Sequence, residues 1–519
     1  MLTDYLRRVF YCDVRSLACF RMVISLIVVI DLVLRFEILE AMYTDSGYFS
    51  RSLADEYYRF ASGTEQFGYW SFHKISGAIE FQIALFLLTG LAACCMFVGL
   101  FTRLATIVVW LLVASMQARN PMINTSGDML LKMLLFWSMF LPLGAYWSLD
   151  ARRRGGAIVK QVTSFATAGV ILQLLYMYLF TGFSKCNEVW FRGEALEYVM
   201  QLSIYTRESS QWVVQFPWLM KVASWLTVFG EIIFPLLLFL PFWNQATRWF
   251  NILSFWLLHL MISFTMAIGL FSYISMAGWL PLLPTRFWEM PLVVRVCRVL
   301  DLIFVSNKPA QRRQLRFLLW QGNLRLARKL VLLRAGTRWW ANAVCCLAIV
   351  YFLWWNVSNI YGKLMPRPLM LVGASLNVDQ IFHMFDIPPQ HNPWFVYEAE
   401  LANGEEVDIF RNLPVTHDRP DYARLTIPNH YWRKLHHNLC HPNFVKFREP
   451  LVLYAVRRWN AAHGPDEQVV YMKLTCYLDR LSPERSLNDQ MTAVWGEFGT
   501  SSRRILKDMW KDIESGMPY

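Results

Sequence analysis

Apolar residues are not spread evenly along this chain. They gather into runs of membrane-spanning length, separated by short polar and charged loops. Such runs cover residues 17–36, 77–101, 104–118, 129–147, 166–183, 218–242, 249–267, 270–283 and 340–355. A helix needs about 20 mainly apolar residues to cross a hydrocarbon core, and only helices and closed barrels satisfy their backbone there. The pattern predicts an all-α polytopic membrane domain of about nine transmembrane helices, the eighth run being short for a span. No small-residue cleavage site follows the first run, which reads as a signal-anchor span. The polar stretch between the first two runs, residues 37–76, is long and rich in Tyr and Phe, and is expected to fold over the outer face as a lid.

From about residue 360 the pattern changes to charges of both signs, more Asn and Pro, and no further spanning run. Residues 394–401 and 405–410 alternate about Ala402-Asn403-Gly404, a hairpin turn sequence. Residues 449–461 have helical spacing and 469–477 read as a strand. Four segments result: a membrane domain at 1–285, a basic segment at 286–338, a last transmembrane helix at 339–358, and a C-terminal extramembrane α+β domain at 359–519.

Composition agrees: 55% of the 519 residues are hydrophobic and 16% aromatic, too apolar for a soluble globule. Charge then sets an expected orientation. Arg7, Arg8 and Arg15 precede the first run, and Arg152, Arg153, Arg154 and Lys160 follow the fourth. Positive loops prefer the cytoplasmic side, so the N-terminus is expected inside and, after an odd number of spans, the C-terminal domain outside. Residues 286–338 hold 12 Lys and Arg against Glu289 and Asp301, which accounts for most of the net charge of +12. Their arginines interleave with apolar residues over 315–332, the pattern of a helix on anionic lipid and not of a nucleic-acid surface.

The segment 178–196, YLFTGFSKCNEVWFRGEAL, carries the densest candidate chemistry. An apolar run breaks near Gly182 and presents Lys185, Asn187, Glu188 and Trp190. Desolvation of a lysine at such a place disfavours its charge and frees the amine as a base. The plainer reading is a lysine that snorkels to the headgroups. Residues 258–277 carry His259, Ser263, Thr265, Ser272, Tyr273 and Ser275, enough polar groups to line a cavity or to bond neighbouring helices. Arg119 and Asp128 flank an outer turn, where they either face Lys185 or meet solvent. His437 and His441 stand one turn apart, but Pro442 ends that helix and no fourth ligand is evident, so no metal is expected. Ten cysteines form no framework; of these, Cys440 and Cys476 share the C-terminal domain.

Three stretches together resemble the HTTM (horizontally transferred transmembrane) family, which is related to vitamin K-dependent γ-glutamyl carboxylase. They are Gly182–Trp190 (GFSKCNEVW), Tyr146-Trp147-Ser148-Leu149-Asp150, and His259 with Ile268-Gly269-Leu270-Phe271-Ser272-Tyr273. Asp13, Phe20 and Arg21 also fit the family opening, and the likeness covers roughly residues 10–285. In the carboxylase the matching lysine deprotonates vitamin K hydroquinone; oxygen then yields a strong base that makes a glutamyl carbanion for CO2 capture. The resemblance therefore implies Lys185 as catalytic base and a reduced, vitamin K-like quinone as cofactor. It further implies carboxylase-like lyase or ligase chemistry on a secreted protein or peptide. His259, Tyr273, Trp190, Glu188, Arg119 and Asp128 are the candidate cavity residues. A bacterial inner or cell membrane is the implied location, because the C-terminal part is similar to extensions on bacterial HTTM proteins at residues 382–385 and 394–408. The sequence departs from the carboxylase at one point: Gly127 stands where the family has an essential histidine. That departure keeps open a second reading, a non-catalytic lipid- or quinone-binding membrane protein that presents its outer domain to a partner.

Overall fold

The computed structural model describes residues 2–62, 70–154, 160–304, 339–362, 364–382, 384–481 and 490–499. Most of the basic segment, 305–338, lies outside the described residues, as does His383. The chain forms a helical bundle with a small sheet domain seated on one end.

Among the described residues, five helices are long and apolar enough to cross a membrane: α1 (Val14–Phe36), α2 (Ile79–Val98), α5 (Phe165–Ser184), α6 (Pro217–Leu236, continued by a 3-10 turn to Phe239) and α9 (Trp339–Tyr361). Two further runs form α3 (Thr102–Arg119) and α7 (Asn244–Thr265). The remaining two depart from the expected spans. Residues 129–147 give only α4 (Ser126–Ser138), followed by a 3-10 turn after Pro142; residues 270–283 give α8 (Phe271–Gly278) and a 3-10 turn at Leu280–Leu282. At 1.5 Å per residue these helices rise about 20 and 12 Å, short of a core about 30 Å thick. Prolines interrupt both runs, and their apolar side chains face other helices: Leu130, Leu131, Met133, Leu134 and Leu135 of α4 are all buried. The outward positions of the long helices are large and apolar, among them Leu87, Leu91, Leu226, Leu257 and Leu347. That surface is one for lipid contact.

The C-terminal domain is an antiparallel sheet packed on two helices. Two-residue strands β1 (Cys12–Asp13) and β2 (Gln161–Val162) pair at the far end of the bundle; the domain's own sheet has the order β5-β4-β3-β6-β7. These strands are β3 (His391–Leu401), β4 (Glu406–Asp408), β5 (Leu413–Pro414), β6 (Val469–Arg480) and β7 (Gln490–Gly499). The expected hairpin is present: Glu398 faces Asp408 across it, and Gly404 takes the positive φ of 81° that the turn demands. The helices are α10 (His430–Cys440) and α11 (Arg448–Ala462).

Of the expected lid, residues 37–62 and 70–76 are described, and they lie between bundle and domain. The Tyr48 hydroxyl donates to the carbonyl of Phe447 at 3.0 Å, the Tyr57 and Phe444 rings stack, and the Tyr58 hydroxyl reaches the carbonyl of Ala118. The described part of this segment thus touches both bundle and domain. Cys440 and Cys476 are free thiols with hydrogen-bonded side chains.

Candidate functional site

Ser164 and Thr167 form a capping box that starts α5, and the helix ends at Lys185, whose backbone N–H closes the last turn. Asn187 then caps the single turn Glu188–Phe191. Gly182 lets α6 approach closely, since a Cβ there would lie 2.7 Å from Ile232 Cγ1. That approach brings Lys185 Nζ to 2.8 Å from Glu231 Oε2, both side chains buried. The amine also sits 5.5 Å from the Trp190 ring, and Trp190 Nε1 donates to the carbonyls of Phe385 and Asp386 at 2.9 Å. The linker to the C-terminal domain thus holds Trp190 beside the ion pair.

Two turns earlier on the same face of α5, the Tyr178 hydroxyl is 2.8 Å from His259 Nε2 and accepts from Trp279 Nε1 at 3.2 Å. Phe255 and Trp279 stack at 4.9 Å, and the Tyr178 ring lies 3.9 Å from that of Phe255. Buried Nδ1 of His259 and Oγ of Ser272 and Ser275 have no hydrogen-bond partner among the described residues. Lys185–Glu231 and this aromatic cluster are therefore two polar centres of the bundle interior on the α5 side; a further buried group there is Gln173, which accepts from Trp137 Nε1 at 3.2 Å and donates to Gln380 Oε1 at 2.7 Å.

A third centre gathers around Arg35 of α1. Its Nε donates to Asp31 Oδ2 at 2.8 Å and its Nη1 to the Tyr43 hydroxyl at 2.9 Å, while Nη2 pairs with Asp128 Oδ1. Asp128 also completes a capping box with Thr125 at the start of α4. Tyr431 of the C-terminal domain closes the network, donating to Asp31 Oδ1 at 2.7 Å with Arg35 4.7 Å from its ring centre. Beside it Gly269, at φ 67°, has its Cα against His430; a Cβ would meet that ring at 2.7 Å.

The candidate residues thus separate. Lys185 and Trp190 meet; His259 lies deeper on the same side. Asp128 is committed to Arg35 and does not face Lys185. Arg119 is fully buried near Phe49, donating from Nη2 to the carbonyl of Tyr43 at 3.2 Å, and also belongs away from Lys185. Glu188 is exposed and pairs with Arg192 one turn on. Tyr273 is 48% exposed, because Phe271, Ile274 and Ser275 occupy the inward face of α8 and leave Tyr273 on the opposite one. Neither Glu188 nor Tyr273 lines the interior. His436 bonds the Tyr397 hydroxyl and the carbonyl of Trp432, and the described residues contain no group of three or more potential metal ligands.

Sequence reasoning missed Glu231, Asp31 and Arg35, although an ionisable residue within an apolar run is itself a signal. It also missed Tyr431, which no local pattern singles out.

The family profile of the HTTM domain matches residues 11–288, more than half of the chain. This chain belongs to the HTTM family. The HTTM match takes in all three polar centres except Tyr431 and His430, which come from the domain beyond it. No curated protein and no solved structure matches the chain.

Proposed function

We propose that this HTTM protein is a carboxylase-like enzyme that works with a reduced quinone, and that Lys185 and Glu231 act together as its proton-accepting centre. The observation that carries this reading is a lysine and a glutamate buried 2.8 Å apart in the bundle, roofed by Trp190. Such a pair is expensive to desolvate and is a weak stability device, so its place in a membrane bundle favours chemistry. The pair holds a neutral total. When Glu231 takes up a proton from an acidic hydroxyl, Lys185 is released from its carboxylate and is left as the cation beside the new anion. Charge is conserved within the pocket, and no net charge is created in a medium of low dielectric.

The residues fit an aromatic head carrying two hydroxyls. Tyr178, Phe255 and Trp279 give flat apolar surfaces, and the unpartnered His259 Nδ1, Ser272 Oγ and Ser275 Oγ can bond oxygen atoms. A bound reduced quinone would supply the electrons that turn oxygen into a strong base. The His259–Tyr178 bond holds the imidazole in place, and Trp190 with the Phe385–Asp386 linker shields Lys185 from water.

On this reading the chain crosses the bilayer nine times, α4 and α8 completing their passes through the 3-10 turns that follow them, with the N-terminus cytoplasmic and the C-terminal domain outside, where a secreted peptide would reach it. Supporting this are the basic residues Arg15, Arg152, Arg153, Arg154 and Lys160 near the β1–β2 end.

One observation favours a different reading. Gly127, in the segment that aligns with the family histidine, lies against α8, where a Cβ would be 2.9 Å from Phe271 Cα. A bundle closed at that point suits a protein that binds lipid or quinone without turning it over. Purified protein given reduced naphthoquinone, oxygen and labelled CO2 separates the two. Label fixed on peptide glutamate, lost in Lys185→Ala and Glu231→Gln, supports the enzyme; quinone binding without oxidation or fixation supports the binder.

A further inference from the structure

Away from the Lys185 pocket, a group of cations converges where the C-terminal domain meets the bundle. Residues 205–207 and 265–267 run antiparallel: Thr206 bridges Met266, the N–H of Arg207 donates to the carbonyl of Thr265 at 2.8 Å, and that of Ala267 to Tyr205 at 2.7 Å. Three arginines bind the carbonyls of this small ladder. Arg207 Nε donates to Met266 at 3.1 Å, Arg424 Nε to Thr206 at 2.8 Å, and Arg433 Nη2 to Ala267 at 2.8 Å. Lys434 follows Arg433 on α10, and His437 lies one turn on from both, its ring 5.6 Å from that of Tyr205.

The carboxylates nearby do not balance these charges. Glu208 is 3.9 Å from Arg424 with its side chain 76% exposed, and Asp128, whose charge reaches Lys434, is already paired with Arg35. Arg433 is buried, and its Nε has no hydrogen-bond partner among the described residues. Burial above all, with the like charges of Arg424 and Arg207 adding to it, pushes that guanidinium down to about 10. A fork of guanidinium donors held on backbone carbonyls, with Arg433 Nε unpartnered and the exposed Glu208 as the one carboxylate within 4 Å among the described residues, matches a phosphate oxygen cluster in geometry and charge.

We propose that Arg207, Arg424, Arg433, Lys434 and His437 form a binding site for a phosphate group at the seam between bundle and domain. The cluster grades from exposed Arg207 to buried Arg433, so a phosphate enters from the solvent side and meets Arg433 last. Its position at the end of α7, beside the lipid-facing helices, places it where a phospholipid headgroup lies. A soluble phosphate would use the same donors.

The test uses the full-length protein in two arms. In the first, the protein is taken from nanodiscs of phosphatidylcholine with a minor share of phosphatidylglycerol, and mass spectrometry of the intact protein counts retained lipid. Wild type should keep phosphatidylglycerol selectively, and Arg433→Gln should retain about tenfold less, as should the surface double variant Arg207→Gln/Arg424→Gln. In the second arm, inorganic phosphate is added to delipidated protein in detergent. A rise in Tm that the double variant lacks assigns the site to a free phosphate. The surface pair keeps the test decisive should Arg433→Gln fail to fold. Equal retention of both lipids together with no phosphate-dependent rise, or variants that behave as wild type in both arms, overturns the proposal.

Discussion

A buried ion pair responds to loss of one partner far more than to loss of both. Lys185→Met strands Glu231, and should cost about 3–5 kcal/mol; Lys185→Met/Glu231→Leu should cost less than either single change. Denaturant unfolding in detergent measures both, and additive costs would show that the two side chains act independently. Histidine burial gives a second outcome. His436 is fully buried, and burial pushes its pKa down to about 4 from an unfolded value near 6.5. The unfolded chain therefore binds the proton more readily, so stability is full above pH ~6.5 and falls as pH drops toward 4, by on the order of 3 kcal/mol for this residue. Unfolding midpoints across that window check the sign, and His436→Gln should flatten the slope. At this scale Lys185 was legible because a cation stands where an apolar helix breaks. Glu231 carried the same kind of signal from inside a run, but nothing in one dimension says that it faces Lys185. Tyr273 misled because the polar content of 258–277 was readable and its inward face was not.

Elements were legible wherever periodicity and turn chemistry agreed. The Asn403-Gly404 hairpin, the helix at Arg448–Ala462 and the strand at Val469–Arg480 follow their patterns closely. The runs that became α4 and α8 did not, because an apolar stretch enclosed by other helices has no need to be one continuous span. The turn between α7 and α8 rests on one residue. Gly269 joins a positive φ to close contact with His430, so Gly269→Ala should destabilise the protein by about 1–3 kcal/mol. In a His430→Ala background the contact is relieved but the backbone strain is not, so the cost should shrink without vanishing. A double-mutant cycle by denaturant unfolding reads this directly; a cost unchanged by His430→Ala would mean that the ring does not press on the glycine.

Across the whole molecule, the proposed nine passes predict that a cysteine placed at Asn403 is modified by a membrane-impermeant reagent in intact cells. Modification only after permeabilisation would reverse the orientation. The membrane class, the family and the two-part organisation could be read from the chain; the junction between the parts could not, because it is made by residues about 400 positions apart, such as Asp31 and Tyr431. That junction has a practical outcome for anyone dissecting the protein. Inside the bundle, two aspartates face one guanidinium, and a tyrosine from α10 of the C-terminal domain caps the excess. A chain halted at residue 360 would expose an acidic, half-wetted hole to the bilayer edge, so the family module here is not a detachable unit and should be inherited, expressed and purified together with its appendage.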